Sequence, residues 1–144
     1  MKTHFGISDT TLYLDIDGVL VTARNTKAAE QVDSFIDFIT TNFDCYWLTT
    51  HCRGDAAPAI QYLSQYLQEE TINKLRQVKA TNWSALKTEG IDFSKPIIWL
   101  DDQPMQAELK VLEAHHCEDS FVLVDLNNLN ELMEIAAYLR MNNE

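Results

Sequence analysis

Short apolar segments alternate along this chain with longer segments in which apolar residues recur every three or four positions. The first short segment, residues 11–16 with the sequence TLYLDI, ends in carboxylates, which is typical of a buried strand that emerges into solvent. The same pattern predicts four further strands, at residues 45–48, at a brief segment around Val78, at residues 96–100 and at residues 121–124.

Amphipathic helices are predicted between these strands. Phe35, Ile36 and Ile39 give the segment 28–41 one apolar face. The other predicted helices are one that begins after Asp55 and continues through Leu67, a stretch ending at Leu75, and residues 83–88, 105–115 and 129–140. Because strands alternate with helices, we predict a single α/β domain over residues 1–144, with a three-layer α/β/α, Rossmann-like fold around a mostly parallel five-stranded sheet.

The composition fits one globular domain with a strong negative charge. Of the 144 residues, 46% are hydrophobic, and 22 Asp and Glu against 11 Lys and Arg give a formal net charge of −11. This charge repels phosphate backbones and anionic lipids, so we expect neither nonspecific nucleic-acid binding nor membrane binding. A bound divalent cation would still dominate its local field and attract a phosphorylated substrate.

The expected location follows from the apolar segments and the cysteines. We recognise no secretory signal and no run of the roughly 18 apolar residues that a membrane helix needs. Cys45, Cys52 and Cys117 are an odd number without CxxC spacing, which favours reduced thiols over a disulfide framework. We therefore expect a soluble protein of the cytoplasm.

Polar side chains with related chemistry follow the predicted strands. In parallel sheets, ligands bind beyond the carboxyl ends of the strands. The residues at these ends are Asp15 and Asp17 after the first strand, Thr49 and Thr50 after the second, Lys79 after the third, and Asp101 and Asp102 after the fourth. Carboxylates at one edge repel one another unless a proton or a cation relieves them, and Mg²⁺ prefers oxygen ligands. With a lysine and a hydroxyl donor, this set fits phosphoryl transfer.

In this order, the motifs resemble those of the haloacid dehalogenase-like (HAD) phosphatase superfamily. The segment DIDGV at residues 15–19 resembles the DxDG[VT] nucleophile motif of that family. Thr49 is similar to its second motif, Lys79 to its third, and Asp101 with Asp102 to its acidic fourth motif. The resemblance implies a magnesium-dependent phosphatase that hydrolyses phosphoric monoesters through an aspartyl-phosphate intermediate.

The resemblance also implies a role for each carboxylate. Asp15 would attack phosphorus, while Asp17 would protonate the leaving group and then activate water. The Asp15 carboxylate, the Asp17 backbone carbonyl and Asp101 would bind Mg²⁺, with Asp102 beside these ligands. The dehalogenases of the family lack the acid/base carboxylate, so Asp17 favours a phosphatase.

Two roles have more than one candidate. Thr49 would bind the transferring phosphoryl group, and Thr50 is the alternative because the second strand can end at either residue. Lys79 would offset the negative charge of nucleophile and phosphate. Lys87, which is closer along the chain to the fourth motif, is the main alternative to Lys79, and Lys74 is a more remote one.

No full cap domain is predicted. Residues 18–31 leave only a short flap after the first motif, and residues 53–78 hold about two helices between the second and third motifs. The site would be open to a small phosphorylated molecule or a phosphoprotein, unless a second copy of the chain covers it. Arg53 is suited to binding an anionic group of the substrate, with a solvent-exposed turn as the alternative.

Two other functions fit parts of the pattern. A binding or regulatory module would keep the fold and the metal site with weak catalysis, although both Asp15 and Asp17 are present. A phospho-accepting receiver domain also combines acidic residues, a threonine and a lysine. Receiver domains carry their acidic pair after the first strand, whereas Asp101 and Asp102 come late in this chain, which argues against that function.

Overall fold

A parallel four-stranded sheet lies at the centre of the computed structural model, which describes residues 9–142. The strands are β1 (Thr11–Leu14), β2 (Asp44–Trp47), β3 (Ile97–Asp101) and β4 (Phe121–Leu123), in the order β2-β1-β3-β4. Leu14 pairs with Trp47 on one side and with Leu100 on the other. This register brings the residues that follow β1, β2 and β3 to one edge of the sheet.

Helices connect the strands, which confirms the predicted α/β class. The helices are α1 (Val32–Asn42), α2 (Ala57–Leu63), α3 (Glu69–Leu75), α4 (Gln106–Ala114) and α5 (Glu131–Asn142), with short 3-10 turns at Lys87–Gly90 and Glu118–Ser120. The helix predicted at residues 83–88 is absent from the described chain, where only the turn Lys87–Gly90 forms. Among the helices of residues 9–142, none is long and apolar enough to cross a membrane.

Apolar side chains of the sheet pack into two separate clusters. Leu14 of β1 belongs to the larger cluster, together with Phe35 of α1. Its neighbour Tyr13 belongs to the smaller cluster, with Trp99 of β3 and Leu112 of α4. Successive residues of a strand point to opposite faces, so both faces of the sheet are covered by apolar groups. This explains why β1 and β3 are buried at every position rather than at alternate positions.

The expected five-stranded sheet is not confirmed, because the strand predicted around Val78 is reduced to one residue in the described chain. The backbone N–H of Lys79 donates to the carbonyl of Cys45 (3.0 Å), and its carbonyl accepts from the N–H of Trp47 (2.8 Å). The hydroxyl of Thr81 then donates to the carbonyl of Trp47 (2.6 Å). In a continuing parallel strand, the backbone N–H of residue 81 would donate to the carbonyl of Trp47. The hydroxyl of Thr81 binds this carbonyl instead, and the strand pairing ends there.

The segment after β1 folds into a short flap. The carbonyl of Ile16 accepts hydrogen bonds from three consecutive backbone N–H groups, which makes a tight turn. The N–H of Thr22 then donates to the carbonyl of Lys27 (2.9 Å) in a small antiparallel hairpin. Because residue 28 pairs in this hairpin, α1 begins at Val32 rather than at the start of the predicted helix 28–41.

Candidate functional site

Three carboxylates meet where β1 and β3 end. Asp15 directly follows β1, Asp101 is the last residue of β3, and Asp102 follows it. The backbone N–H of Asp15 donates to the carbonyl of Leu100 (3.1 Å), so the parallel pairing sets Asp15 beside Asp101. One oxygen of each carboxylate lies within 4.8 Å of the others. Asp15 and Asp101 are buried and Asp102 is half-buried, so the cluster has little water to screen its charge.

Lys87 provides a cation within this cluster. Its Nζ lies 2.7 Å from Asp101 Oδ2 and 3.4 Å from Asp15 Oδ2, and only 13% of its side chain is exposed. The lysine is the first residue of the turn Lys87–Gly90, and its backbone N–H donates to the buried carboxylate of Glu108 (2.7 Å). That contact ties the turn to the start of α4 and thereby orients the lysine towards the carboxylates.

The pKa values reflect the excess of negative charge. Burial and the neighbouring Asp101 carboxylate raise the pKa of Asp15 to about 8, although the ammonium group of Lys87 opposes this shift. Burial and the charge of Asp101 also raise the pKa of Asp102. One lysine therefore does not compensate three carboxylates, and the cluster favours an additional positive charge, either a proton or a metal ion.

Gly18 allows Asp102 to approach the turn after β1. Its φ of +82° lies in the left-handed region, which residues with side chains rarely adopt. A Cβ atom at this position would overlap the carboxylate of Asp102. Glycine is therefore required both by the backbone conformation and by the space that Asp102 occupies.

Asp17 lies in the turn after β1, and both of its carboxylate oxygens have partners. The hydroxyl of Tyr62 donates to Oδ1 (2.8 Å), and Nε2 of His51 is 2.8 Å from Oδ2. The rings of His51 and Tyr62 stack with their centroids 4.1 Å apart. Burial and the hydrogen bond to Asp17 raise the pKa of Tyr62, so its hydroxyl stays protonated at neutral pH. Asp17 is thus held by side chains from α2 and from the loop after β2.

The placement of the two threonines differs. The backbone N–H of Leu48 donates to the carbonyl of Leu14 (2.8 Å), so Thr49 continues from the end of β2 beside the end of β1. Thr49 is fully buried, and its hydroxyl accepts a hydrogen bond from the N–H of His51 (3.3 Å) while its own hydrogen can still be donated. Thr50 is exposed. This geometry favours Thr49, the preferred candidate from the sequence.

The structure does not bring Lys79 to the carboxylates, which corrects the expectation that this lysine serves the site. Lys79 Nζ lies 3.0 Å from Asp44 Oδ1, at the amino end of β2, and 57% of its side chain is exposed. The backbone of Lys79 runs beside β2, but its long side chain turns towards a carboxylate at the opposite end of the strand. Lys74 is also engaged elsewhere, with Nζ 3.2 Å from Asp37 Oδ1. Lys87 therefore takes the position that the sequence assigned to Lys79.

Arg53 is held against its neighbours rather than extending freely from a turn. Its guanidinium group lies 3.8 Å from the ring centroid of Trp83, and Nη1 donates to the carbonyl of Ser84 (3.2 Å). The residue as a whole is exposed. Contact with a substrate stays a prediction.

A cleft of about 500 Å³ lies beside the carboxylates, between the flap and the end of β4. Gly18 and Asp102 form the side nearest the cluster. The remaining walls are polar and apolar residues of the flap and of the segment after β4: Thr22, Ala23, Arg24, Leu123, Val124, Asp125, Leu126 and Asn127. A molecule with a phosphoryl group at the cluster has room here for the rest of its structure.

Sequence reasoning missed three residues of this region. His51 and Tyr62 contact Asp17 from 34 and 45 positions away along the chain, and Glu108 contacts Lys87 from 21 positions away. The only local signal is the position of His51, two residues after Thr49. Tyr62 lies next to the apolar face of α2, a position that is typical of an ordinary surface tyrosine and gives no sign of a contact with Asp17.

Comparison of the sequence with protein-family models and with curated proteins found no match.

Proposed function

We propose that this protein is a magnesium-dependent phosphatase of the HAD-like type, which hydrolyses phosphoric monoesters through an aspartyl-phosphate at Asp15. The observation that carries the proposal is the group of three carboxylates around Lys87 at the ends of two adjacent parallel strands. Apolar clusters on both faces of the sheet further support the three-layer α/β/α arrangement of that fold.

The residues present fit Mg²⁺. All three carboxylates offer hard oxygen ligands within 4.8 Å of one another, and the raised pKa of Asp15 indicates uncompensated negative charge. The carboxylates of Asp15 and Asp101 and the backbone carbonyl of Asp17 would hold the ion, with Asp102 next to them. When bound, Mg²⁺ supplies positive charge against the oxygens of the phosphoryl group.

The chain's own residues divide the reaction into two steps. In the first, a carboxylate oxygen of Asp15 bonds to phosphorus, the bond to the leaving oxygen breaks, and Asp17 gives its proton to that oxygen. In the second, Asp17 removes a proton from water, the water oxygen bonds to phosphorus, and the bond to Asp15 breaks to release phosphate. Thr49 would donate a hydrogen bond to a phosphoryl oxygen, and Lys87 would offset the negative charge on Asp15 and phosphate.

The open cleft suits a small phosphorylated molecule or the phosphorylated side chain of a protein. Within residues 9–142, the flap and the helices α2 and α3 are the only segments in the places where a cap would be inserted. A second copy of the chain covering the site is compatible with this opening. The free thiols of Cys45, Cys52 and Cys117 fit a reducing compartment such as the cytoplasm.

Phosphate release tests this function directly. The wild-type protein is assayed with p-nitrophenyl phosphate and a panel of phosphorylated metabolites and phosphopeptides, with Mg²⁺ or with EDTA. We expect turnover that requires Mg²⁺ and that is lost in Asp15→Asn. The matched control is Asp44→Asn, which removes a carboxylate at the opposite end of the sheet and should retain full activity.

Two outcomes would contradict the proposal. Full activity of Asp15→Asn would exclude Asp15 as the nucleophile. Binding of Mg²⁺ without turnover on any member of the panel would favour the regulatory module.

A further inference from the structure

Both carboxylate oxygens of Asp17 have side-chain partners, although the side chain is partly exposed. Although 42% of its side chain is exposed, each oxygen has its own partner at 2.8 Å, Tyr62 at Oδ1 and His51 at Oδ2. A solvated carboxylate on a turn would otherwise rotate freely among its rotamers. Two partners from different elements leave a single orientation.

The two partners also support each other. Their rings stack at an interplanar angle of 17°. Tyr62 packs edge-on against Tyr66, with ring centroids 5.5 Å apart, which anchors it to the α2 region. The backbone N–H of His51 donates to the hydroxyl of Thr49. The pair is therefore connected to the residue that would bind the phosphoryl group.

We propose that Tyr62 and His51 are positioning residues, which hold the Asp17 carboxylate in the orientation for proton transfer to and from the leaving oxygen. This inference rests on the proposed phosphatase function. Both residues contact the carboxylate of Asp17 and would act through it, without contacting the phosphorus or the leaving oxygen.

The chemistry of the two side chains suits this task. A tyrosine hydroxyl donates to a carboxylate and can accept from a carboxylic acid, so the contact persists in both forms that Asp17 takes during one turnover. A neutral imidazole nitrogen likewise donates or accepts, depending on its tautomer. A lysine or an arginine carries a positive charge that favours the ionised carboxylate and would oppose its protonation during turnover.

The experiment compares two aryl esters of similar size whose leaving groups differ in basicity. Phenoxide is as basic as a tyrosine side chain, with a conjugate-acid pKa of about 10, and needs a proton as it leaves, whereas p-nitrophenoxide needs little assistance. We measure kcat/KM for phenyl phosphate and for p-nitrophenyl phosphate in Tyr62→Phe, which keeps the stacked ring and removes only the hydroxyl. The matched control is Tyr66→Phe, which removes a hydroxyl from the neighbouring ring.

We expect Tyr62→Phe to lower kcat/KM about tenfold for phenyl phosphate and less than about threefold for p-nitrophenyl phosphate, since a misplaced acid loses part of a contribution of about 10² to 10⁴. His51→Ala should give the same split, and His51→Gln, which keeps an N–H donor, should recover part of the loss. Tyr66→Phe should change neither ester by more than about twofold.

The outcomes separate this inference from the proposed function. If the wild-type protein releases no phosphate from either ester, the proposed function fails and the inference with it. If the wild-type protein is active and the Tyr62→Phe and His51→Ala variants lose activity equally on both esters, their role is structural and the inference is wrong. Unchanged kinetics in both variants would refute it as well.

Discussion

The ionisation of Asp15 should make the metal-free protein less stable as pH rises. Its pKa is about 8 in the folded protein, against an ordinary value of 3.8, and the main causes are burial and the charge of Asp101. Below both values the group is protonated in the folded and unfolded states, so it does not affect stability. Between them, the unfolded chain loses the proton while the folded protein keeps it, so unfolding becomes more favourable as pH rises.

The magnitude follows from this difference in bound protons. One proton more in the folded state lowers the free energy of unfolding by about 1.4 kcal/mol for each pH unit. From pH 5 to pH 7 the loss from Asp15 is about 3 kcal/mol. The interval from 3.8 to about 8 sets an upper limit of about 6 kcal/mol for this carboxylate, reached above its folded-state pKa.

Urea unfolding in EDTA measures the effect when the wild-type protein is compared with Asp15→Asn. The amide has a similar shape and cannot ionise, so the difference between the two proteins reports the ionisation of Asp15 together with its coupling to Asp101 and Lys87. We expect the stability of Asp15→Asn relative to the wild type to increase progressively as pH rises from 5 to 7, by about 3 kcal/mol over that range. A difference that does not change with pH would refute the assignment of a retained proton to Asp15.

Mg²⁺ provides a second arm of the same measurement. A metal ion that binds the ionised carboxylate restores stability, by about 2.7 kcal/mol at a concentration one hundred times its Kd. The stability gained from Mg²⁺ should increase with pH in the wild-type protein, because a larger fraction of Asp15 is already ionised and fewer protons have to be displaced by the metal ion. The gain should be much smaller in Asp15→Asn. An equal gain in both proteins would place the metal elsewhere.

Substitutions at Lys87, Gly18 and Thr49 test the remaining parts of the site. Lys87→Ala should lower phosphatase activity by about 10² or more, because it leaves the carboxylates without their cation. Lys79→Ala should change activity less than about twofold. Steady-state kinetics that reverse this ranking would contradict the geometry. Gly18→Ala should lower the free energy of unfolding in urea by at least about 1–2 kcal/mol, since the φ at this position is +82°. It should also weaken Mg²⁺ binding in calorimetry, because the added Cβ would displace Asp102. Unchanged metal affinity would contradict this interpretation. Thr49→Ala should reduce kcat by about 10², while Thr49→Ser, which keeps the hydroxyl, should retain most of the activity. Equal losses in both variants would indicate that the buried Thr49 serves only in packing.

The four strands that form and the carboxylate cluster could be predicted from the sequence because both follow from local pattern and topology, although the fifth strand expected around Val78 does not form. Short apolar runs that end in aspartates indicate buried strands, and parallel strands bring their carboxyl ends to one edge. The meeting of Asp15 and Asp101 follows from those two facts, whereas nothing in the sequence pattern singles out Lys87, 14 positions before Asp101, as the lysine that joins them. The role of Gly18 in a tight turn could also be predicted, since the chain turns sharply after β1.

Tertiary contacts decided the rest. Lysine has a long flexible side chain, so the backbone position of Lys79 beside β2 did not determine where its ammonium group lies, and Asp44 attracted it away. Lys87 contacts Asp101, and its backbone N–H is held by the buried carboxylate of Glu108, which lies 21 positions further along the chain. The contacts of His51 and Tyr62 with Asp17 join segments that no sequence period relates. Local pattern thus specifies which groups stand at the ends of strands, whereas packing between distant segments selects the side chains that surround them.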